Sequence, residues 1–307
     1  MRAKEEHTGA SPVGGTLNSR GRGIVFAIIS SATFGFIPLF SLGPMHRGFS
    51  TLSILFYRFA LATLLFGAMA LLRGIRLRVN RRQFFELLLL GVLCYSGSAG
   101  FLIFSYRYIP SGIATTINFL YPIMVALLMR FVFGERVKLP TLIAIGLSLL
   151  GVGLMSWNRN GALDWRGVCG ALATVVCYGL YIVGLNKLSV RKLPGSIVTF
   201  YVLLFSSLLF MVLALATGGI DLVEDWHSAR DLLLLAIVAT IVSNLTLVLA
   251  VQSIGSTYTS LLGSMEPLTA VGIGMLVFGE ELTWVQMGGV VLVVVSVMLV
   301  VFARRKG

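Results

Sequence analysis

One block of this chain occurs twice. Tyr121-Pro122, then Val132-Phe133-Gly134-Glu135 and an apolar run to Met155, return as Glu266-Pro267, Val277-Phe278-Gly279-Glu280 and a similar run to Val300. One offset of about 145 residues aligns the two stretches without gaps. The opening segments match at an offset one residue shorter, Arg22-Gly23 with Arg166-Gly167 and Phe34-Gly35 with Tyr178-Gly179. Each copy reads as five apolar segments long enough to cross a bilayer, at about 20 residues apiece. An odd number of spans turns the second copy upside down relative to the first. Inverted repeats of this kind are the sequence mark of alternating-access carriers.

The chain is 57% hydrophobic and only 12% charged, far from soluble averages. Spans are expected at 22–42, 50–72, 84–106, 111–133, 139–157, 166–188, 196–218, 231–253, 257–279 and 284–303. The predicted fold is an all-α membrane protein of ten transmembrane helices, built as two inverted five-helix repeats. Residues 22–157 and 165–305 form the repeats, 158–164 an external linker, and the polar, Gly/Ser/Thr-rich residues 1–21 a disordered cytoplasmic tail.

A formal charge of +12 would suggest nucleic acid in a soluble protein, but here the charge follows topology. With the N-terminus inside, the cytoplasmic segments hold eighteen basic residues, most densely at Arg73, Arg76, Arg78, Arg81 and Arg82; the outer ones hold five, Arg47, Arg107, Arg159, Arg166 and Arg230. That is the positive-inside pattern, and it puts both termini in the cytoplasm. The pattern leaves nothing for nucleic acid to explain. Cys94, Cys169 and Cys177 fall within spans, and His7, His46 and His227 in the tail or loops. Neither set has metal-ligand spacing, and no cofactor is expected.

The second half carries Met265-Glu266-Pro267, Phe278-Gly279-Glu280-Glu281-Leu282-Thr283, Gln286 and Gly288-Gly289; the first carries Tyr121-Pro122, Phe133-Gly134-Glu135-Arg136, Gly146 and Gly151. With two five-helix halves and a proline in each fourth span, the chain resembles the drug/metabolite transporter superfamily, and within it the EamA-domain type, over residues 22–305. The resemblance implies a secondary carrier that exports or exchanges small metabolites, in the plasma (inner) membrane of a bacterium. Tyr121 stands where Glu266 would repeat, so any coupling carboxyl at that place exists once.

An ionisable residue at bilayer depth is costly, about 3 kcal/mol or more on insertion scales, and marks function by default. Glu266 lies near the midplane of its span. Arg58 lies roughly 12 Å from the outer end of the second span at 1.5 Å per residue, where it either snorkels to the interface or serves recognition. Counted along the helices, the two differ in depth by about 9 Å, which makes them doubtful partners. A carboxyl at Glu266 suits proton coupling or a substrate ammonium group. Pro122 and Pro267, and Pro38 in the first span, interrupt helical hydrogen bonding. Freed backbone at membrane depth points to a central site. Asn118 and Tyr121 share a helix face with Pro122. Ser98 matches Ser243-Asn244 across the repeat, and Phe34 and Tyr178 add aromatic surface. Glu86 and Asp231 sit at span starts, where an acid favours the helix N-terminus, and Glu135 and Glu280 end their spans, where they serve backbone or neighbouring groups. Ala144-xxx-Ser148 and Ala270-xxx-Gly274 allow close helix contact within a monomer or across a homodimer.

An intramembrane enzyme needs paired carboxylates, a Ser/His set or metal ligands, and the spans offer none. A receptor or scaffold would leave the repeat unexplained. Organic phosphates call for several cations in the cavity, and Arg58 is the one deep cation. A neutral or zwitterionic metabolite, such as an amino acid, fits better. The alternative is a broad exporter of hydrophobic or cationic compounds drawn by Glu266 and the aromatic residues.

Overall fold

The computed structural model describes residues 19–75, 77–109, 111–135, 139–155, 164–278 and 283–303. Most of the expected tail and of the linker, with Glu280, Arg136 and Lys138, therefore lie outside the described residues, as do the side chains of Ala270 and Gly274. The described residues are helical and connected by short turns. Helices α1 (Ser19–Phe34) and α2 (Ile37–His46) lead into α3 (Thr51–Leu72); α4 (Arg81–Leu89) and α5 (Ser96–Ser105) are joined by a π-helical turn at Leu90–Tyr95. After α6 (Ser111–Asn118), α7 (Tyr121–Phe131) and α8 (Leu139–Met155) the pattern returns: α9 (Trp165–Lys187), α10 (Gly195–Thr217), α11 (Trp226–Ala236), a second π turn at Ile237–Val242, and α12 (Ser243–Ile254). Helices α13 (Ser256–Leu262), α14 (Met265–Phe278) and α15 (Trp284–Ala303) complete it.

Among the described residues, six helical stretches are long and apolar enough to cross a membrane: 20–46, 51–72, 81–105, 165–187, 195–217 and 226–254. The rest of the expected spans are shorter helices or helix pairs. Ser50, Asn80, Asp164 and Asp225 each cap a helix start through the side-chain oxygen, satisfying orphan amides. Gly255, at φ +82°, ends α12 and starts α13 in a backbone conformation that suits glycine.

The packing repeats as the sequence does. α1 lies on α12 as α9 lies on α5, and α1 crosses α14 as α9 crosses α7; α3 pairs with α10, and α8 with α15. Lipid is as apolar as leucine, so such contacts need close backbone approach or polar contacts. Gly151 of α8 supplies one: a Cβ there would meet the Gly289 carbonyl and Val293 at 2.7 Å. Ser148, one member of the small-xxx-small pair, hydrogen-bonds Ser296 of the same chain. Leu64, Leu72, Leu150 and Val212 face outward, as lipid requires.

The spans carrying Pro38, Pro122 and Pro267 are each broken a few residues before the proline. α1 stops at Phe34 and α2 restarts at Ile37, α6 gives way to α7 across Phe119-Leu120, and α13 to α14 across Gly263-Ser264. Each restart carries a proline in its first turn: Pro38, Pro122 and Pro267. There the missing N–H costs nothing, because that amide has no helical partner anyway. The prolines therefore start helices and do not bend them. After the third break, Glu266 N–H donates to the Gly263 carbonyl at 2.9 Å, so that carbonyl is satisfied by a tightened turn.

Candidate functional site

The three interruptions meet. A Cβ on Gly35, at the first break, would lie 2.7 Å from the Glu266 carbonyl and from Thr269 Cβ. Gly263, at the third break, packs against the Tyr121 hydroxyl just after the second. Only glycine lets backbone and ring approach this closely. Beside this junction lies a small cavity of about 20 Å³, room for about one water molecule. Its wall includes Phe34, Arg58, Tyr95, Ser98, Asn118, Tyr178 and Glu266, with Ile37, Ala99 and Leu102 as apolar filling.

Arg58 does not snorkel. It is 1% exposed, with its guanidinium turned inward. Nε donates to Thr240 Oγ1 at 2.8 Å and Nη2 to the Ala239 carbonyl at 3.3 Å, while Cζ lies 5.2 Å from the centre of the Phe59 ring. Both acceptors belong to the second π turn. A π turn shifts backbone bonding by one residue and leaves a carbonyl for another donor; Arg58 takes the one at Ala239. Thr240 Oγ1 in turn donates to the Leu235 carbonyl at 2.8 Å, which fixes its lone pairs toward Arg58. The first π turn is stabilised in the same way, with Ser96 and Ser206 hydroxyls both donating to the Gly91 carbonyl.

Arg58 and Glu266 line the same cavity, contrary to the depth counted along their helices. Counting along Cα positions ignores the long arginine side chain, which carries its charge away from its own helix level. The two form no ion pair among the described residues. Glu266 is buried, and no cation lies within salt-bridge distance among the described residues. Phe34 and Tyr178, repeat counterparts in sequence, meet edge to face at 5.8 Å, and Tyr178 meets Tyr121 at 4.7 Å. The same wall thus carries Arg58, Glu266 and aromatic rings, with Ser98 and Asn118 as neutral polar points.

Not every residue singled out in sequence reaches the cavity. Asn244 lies behind it, accepting from the Tyr181 hydroxyl at 2.7 Å; the Ser243 carbonyl accepts from Ser30 at 2.8 Å. Tyr121, Pro122 and Pro267 form the junction beside the cavity. Thr240 carried no sequence signal, since a threonine in an apolar span is unremarkable until the π turn exposes it. The acids at the span ends do more than serve their own helices. Asp231 receives Arg47 Nη2 at 2.7 Å and so fixes the α2–α3 connection. Its repeat counterpart Glu86 receives Ser189 Oγ and the Val190 amide, at 2.5 and 3.1 Å, and fixes the α9–α10 connection. Glu135 pairs with Lys187 at 2.5 Å.

The EamA-like transporter family profile matches residues 21–157 and again 165–302. An uncharacterized transporter of Synechocystis sp. is 28% identical over 218 residues, or 67% of this chain and 65% of that protein. The chain thus spans just under two thirds of that relative's length. The threonine/homoserine exporter RhtA of Escherichia coli K12 is 28% identical over 233 residues, 75% of each protein. A protein of known crystal structure, 15% identical, superposes with a TM-score of 0.79 over 94% of this chain and 99% of its own. That likeness establishes a shared fold.

Proposed function

The chain belongs to the EamA-like transporter family, and on that premise we propose that it exports or exchanges small zwitterionic metabolites, amino acids first among them. It is a transporter and not an enzyme. The observation that carries the substrate class is one cavity wall bearing Arg58 and Glu266 unpaired to each other. A zwitterion needs both poles, a fork for its carboxylate and a carboxylate for its ammonium group. The likeness to RhtA makes threonine and homoserine the first compounds to try. Phe34, Tyr95, Ser98, Asn118 and Tyr178 complete the substrate surface; Tyr121, Pro122 and Pro267 form the backbone junction about which it opens, and Ser243 and Asn244 brace it from behind.

The same reading places ten spans in a bacterial inner membrane as two inverted repeats, 22–157 and 165–305, joined outside by 158–164, with both termini cytoplasmic. Alternating access then exchanges the packing of the two halves around the fixed site, and Glu266 couples the cycle to protons. Single cysteines at Ser19 and Gly307 should be labelled from the cytoplasmic side alone, and one at Asn160 from outside alone. Labelling of the two ends from opposite sides would overturn the topology.

Transport is tested in proteoliposomes loaded with a mixed amino-acid pool, with and without an imposed pH gradient. Efflux of zwitterionic amino acids above protein-free vesicles supports the reading. A second reading, export of hydrophobic or cationic compounds, draws on Glu266 beside aromatic rings, which attract cations. Efflux of organic cations with no amino-acid flux would establish it in place of the first.

A further inference from the structure

Asn118 closes α6 at the second helix break, is 4% exposed, and stands on the cavity wall. Its side-chain oxygen has no hydrogen-bond partner. Buried polar atoms in folded proteins are nearly all paired, and an orphan needs an explanation. Here the local chain offers none. The amides that follow are taken within the break itself: Phe119 N–H goes to the Thr115 carbonyl and Leu120 N–H to that of Ile117. The Asn118 acceptor is thus left unpaired among the described residues, on the cavity wall and at the interruption that builds the junction.

Other orphaned polar atoms differ in place. The Asn244 amide and Ser243 hydroxyl lie behind the wall, and the Ser41, Thr51 and Thr199 hydroxyls lie away from it. Tyr95 also lines the cavity, but its hydroxyl sits beside the Arg58 guanidinium, at the pole assigned to a carboxylate. Asn118 is neither pole. It is a neutral acceptor on the wall that also holds Phe34, Ala99, Leu102 and Tyr178.

We propose that Asn118 is a specificity-determining residue whose side-chain oxygen accepts a hydrogen bond from a hydroxyl on the substrate side chain, so that the carrier selects hydroxylated amino acids over apolar ones of equal size. The proposal rests on the zwitterion reading of the cavity and adds the third contact. Its physical basis is an asymmetry. A site that pairs a substrate hydroxyl strongly rejects an analogue lacking it, because the buried acceptor is then stranded. An apolar pocket discriminates much less.

Threonine and valine have nearly the same shape and differ in one hydroxyl, so their ratio isolates this contact. Counterflow of each into proteoliposomes gives kcat/KM for wild type, Asn118→Leu and Asn118→Ala. Wild type should favour threonine at least about tenfold. Asn118→Leu keeps the volume without the acceptor and should bring the ratio to within about threefold of unity, mainly by loss of threonine transport. Asn118→Ala should do the same with more space, and valine flux above protein-free vesicles reports a folded carrier in either variant. Equal transport of both substrates by wild type overturns the role of Asn118 and leaves the zwitterion reading standing. A ratio that survives in whichever variant is folded also overturns it. Transport of neither amino acid by wild type refutes the zwitterion reading, and this inference with it.

Discussion

Thr240→Val tests whether the π turn is what makes Arg58 a binding group. The substitution keeps shape and β-branching while deleting Oγ1. Arg58 Nε then loses its 2.8 Å acceptor, and the Leu235 carbonyl loses its donor. Only the longer bond to the Ala239 carbonyl, at 3.3 Å, still ties the guanidinium to α11–α12. A hydrogen bond to a charged group contributes about 1.5–3 kcal/mol. Removing it should let the guanidinium leave the position that faces the cavity. If that position is the carboxylate site, kcat/KM for a zwitterionic substrate should fall by roughly 10- to 100-fold, at about 1.4 kcal/mol per factor of ten. Thr240→Ser retains the hydroxyl and should stay within about threefold of wild type, since it changes packing and little else. Counterflow of labelled substrate into proteoliposomes, normalised to reconstituted protein, reads the effect. Thermal unfolding in detergent shows whether the variant is intact. A Thr240→Val carrier that is folded and transports within twofold of wild type would refute the reasoning, because Arg58 would then need no π-turn anchor.

Three further outcomes follow from the same geometry. Arg58→Lys keeps the charge but not the planar fork, so it and Arg58→Gln should both lose most transport at normal expression; wild-type flux in both would make Arg58 a structural residue. Glu266→Gln retains hydrogen bonding but cannot titrate, and should lose transport driven by a pH gradient while keeping substrate exchange; an unchanged pH dependence excludes coupling at Glu266. Gly35→Ala forces a methyl to within 2.7 Å of the Glu266 carbonyl and Thr269, an overpacking that costs about 1–3 kcal/mol and should lower both thermal stability and transport, whereas an unaffected Gly35→Ala carrier would show that the helix breaks need not touch.

The sequence carried what depends on residue type and period. The repeat, the long apolar stretches, the basic loops and the two intramembrane charges are all visible without coordinates. What it hid depends on backbone path. A proline in an apolar span marks an interruption, but nothing local tells that the chain has already left the helix at Phe119 or Gly263. The π turns at Leu90–Tyr95 and Ile237–Val242 have no composition of their own, so Thr240 could not be singled out. Depth counted in residues separated Arg58 from Glu266, while side-chain length and the packing of α3 against the second π turn brought them to one cavity. Ser98 and Ser243 look equivalent by repeat register, yet of the two only Ser98 lines the cavity. Two copies of one motif need not face the same way once helices on both sides have diverged.

The exchange of Tyr121 for Glu266 between the repeats has a thermodynamic consequence. On the proposed reading, in which Glu266 couples export to protons, one carboxyl at the junction among the described residues carries one proton inward for each substrate sent out. When the substrate is a zwitterion of zero net charge, the proton's charge is all that crosses. A membrane potential of 100 mV is worth about 2.3 kcal/mol per charge, which sustains a concentration ratio of about 50-fold. A second acid at Tyr121 would double the charge moved and square that ratio. On that reading, the tyrosine of the first half fixes how much the membrane potential contributes to the gradient, by stoichiometry and independent of affinity.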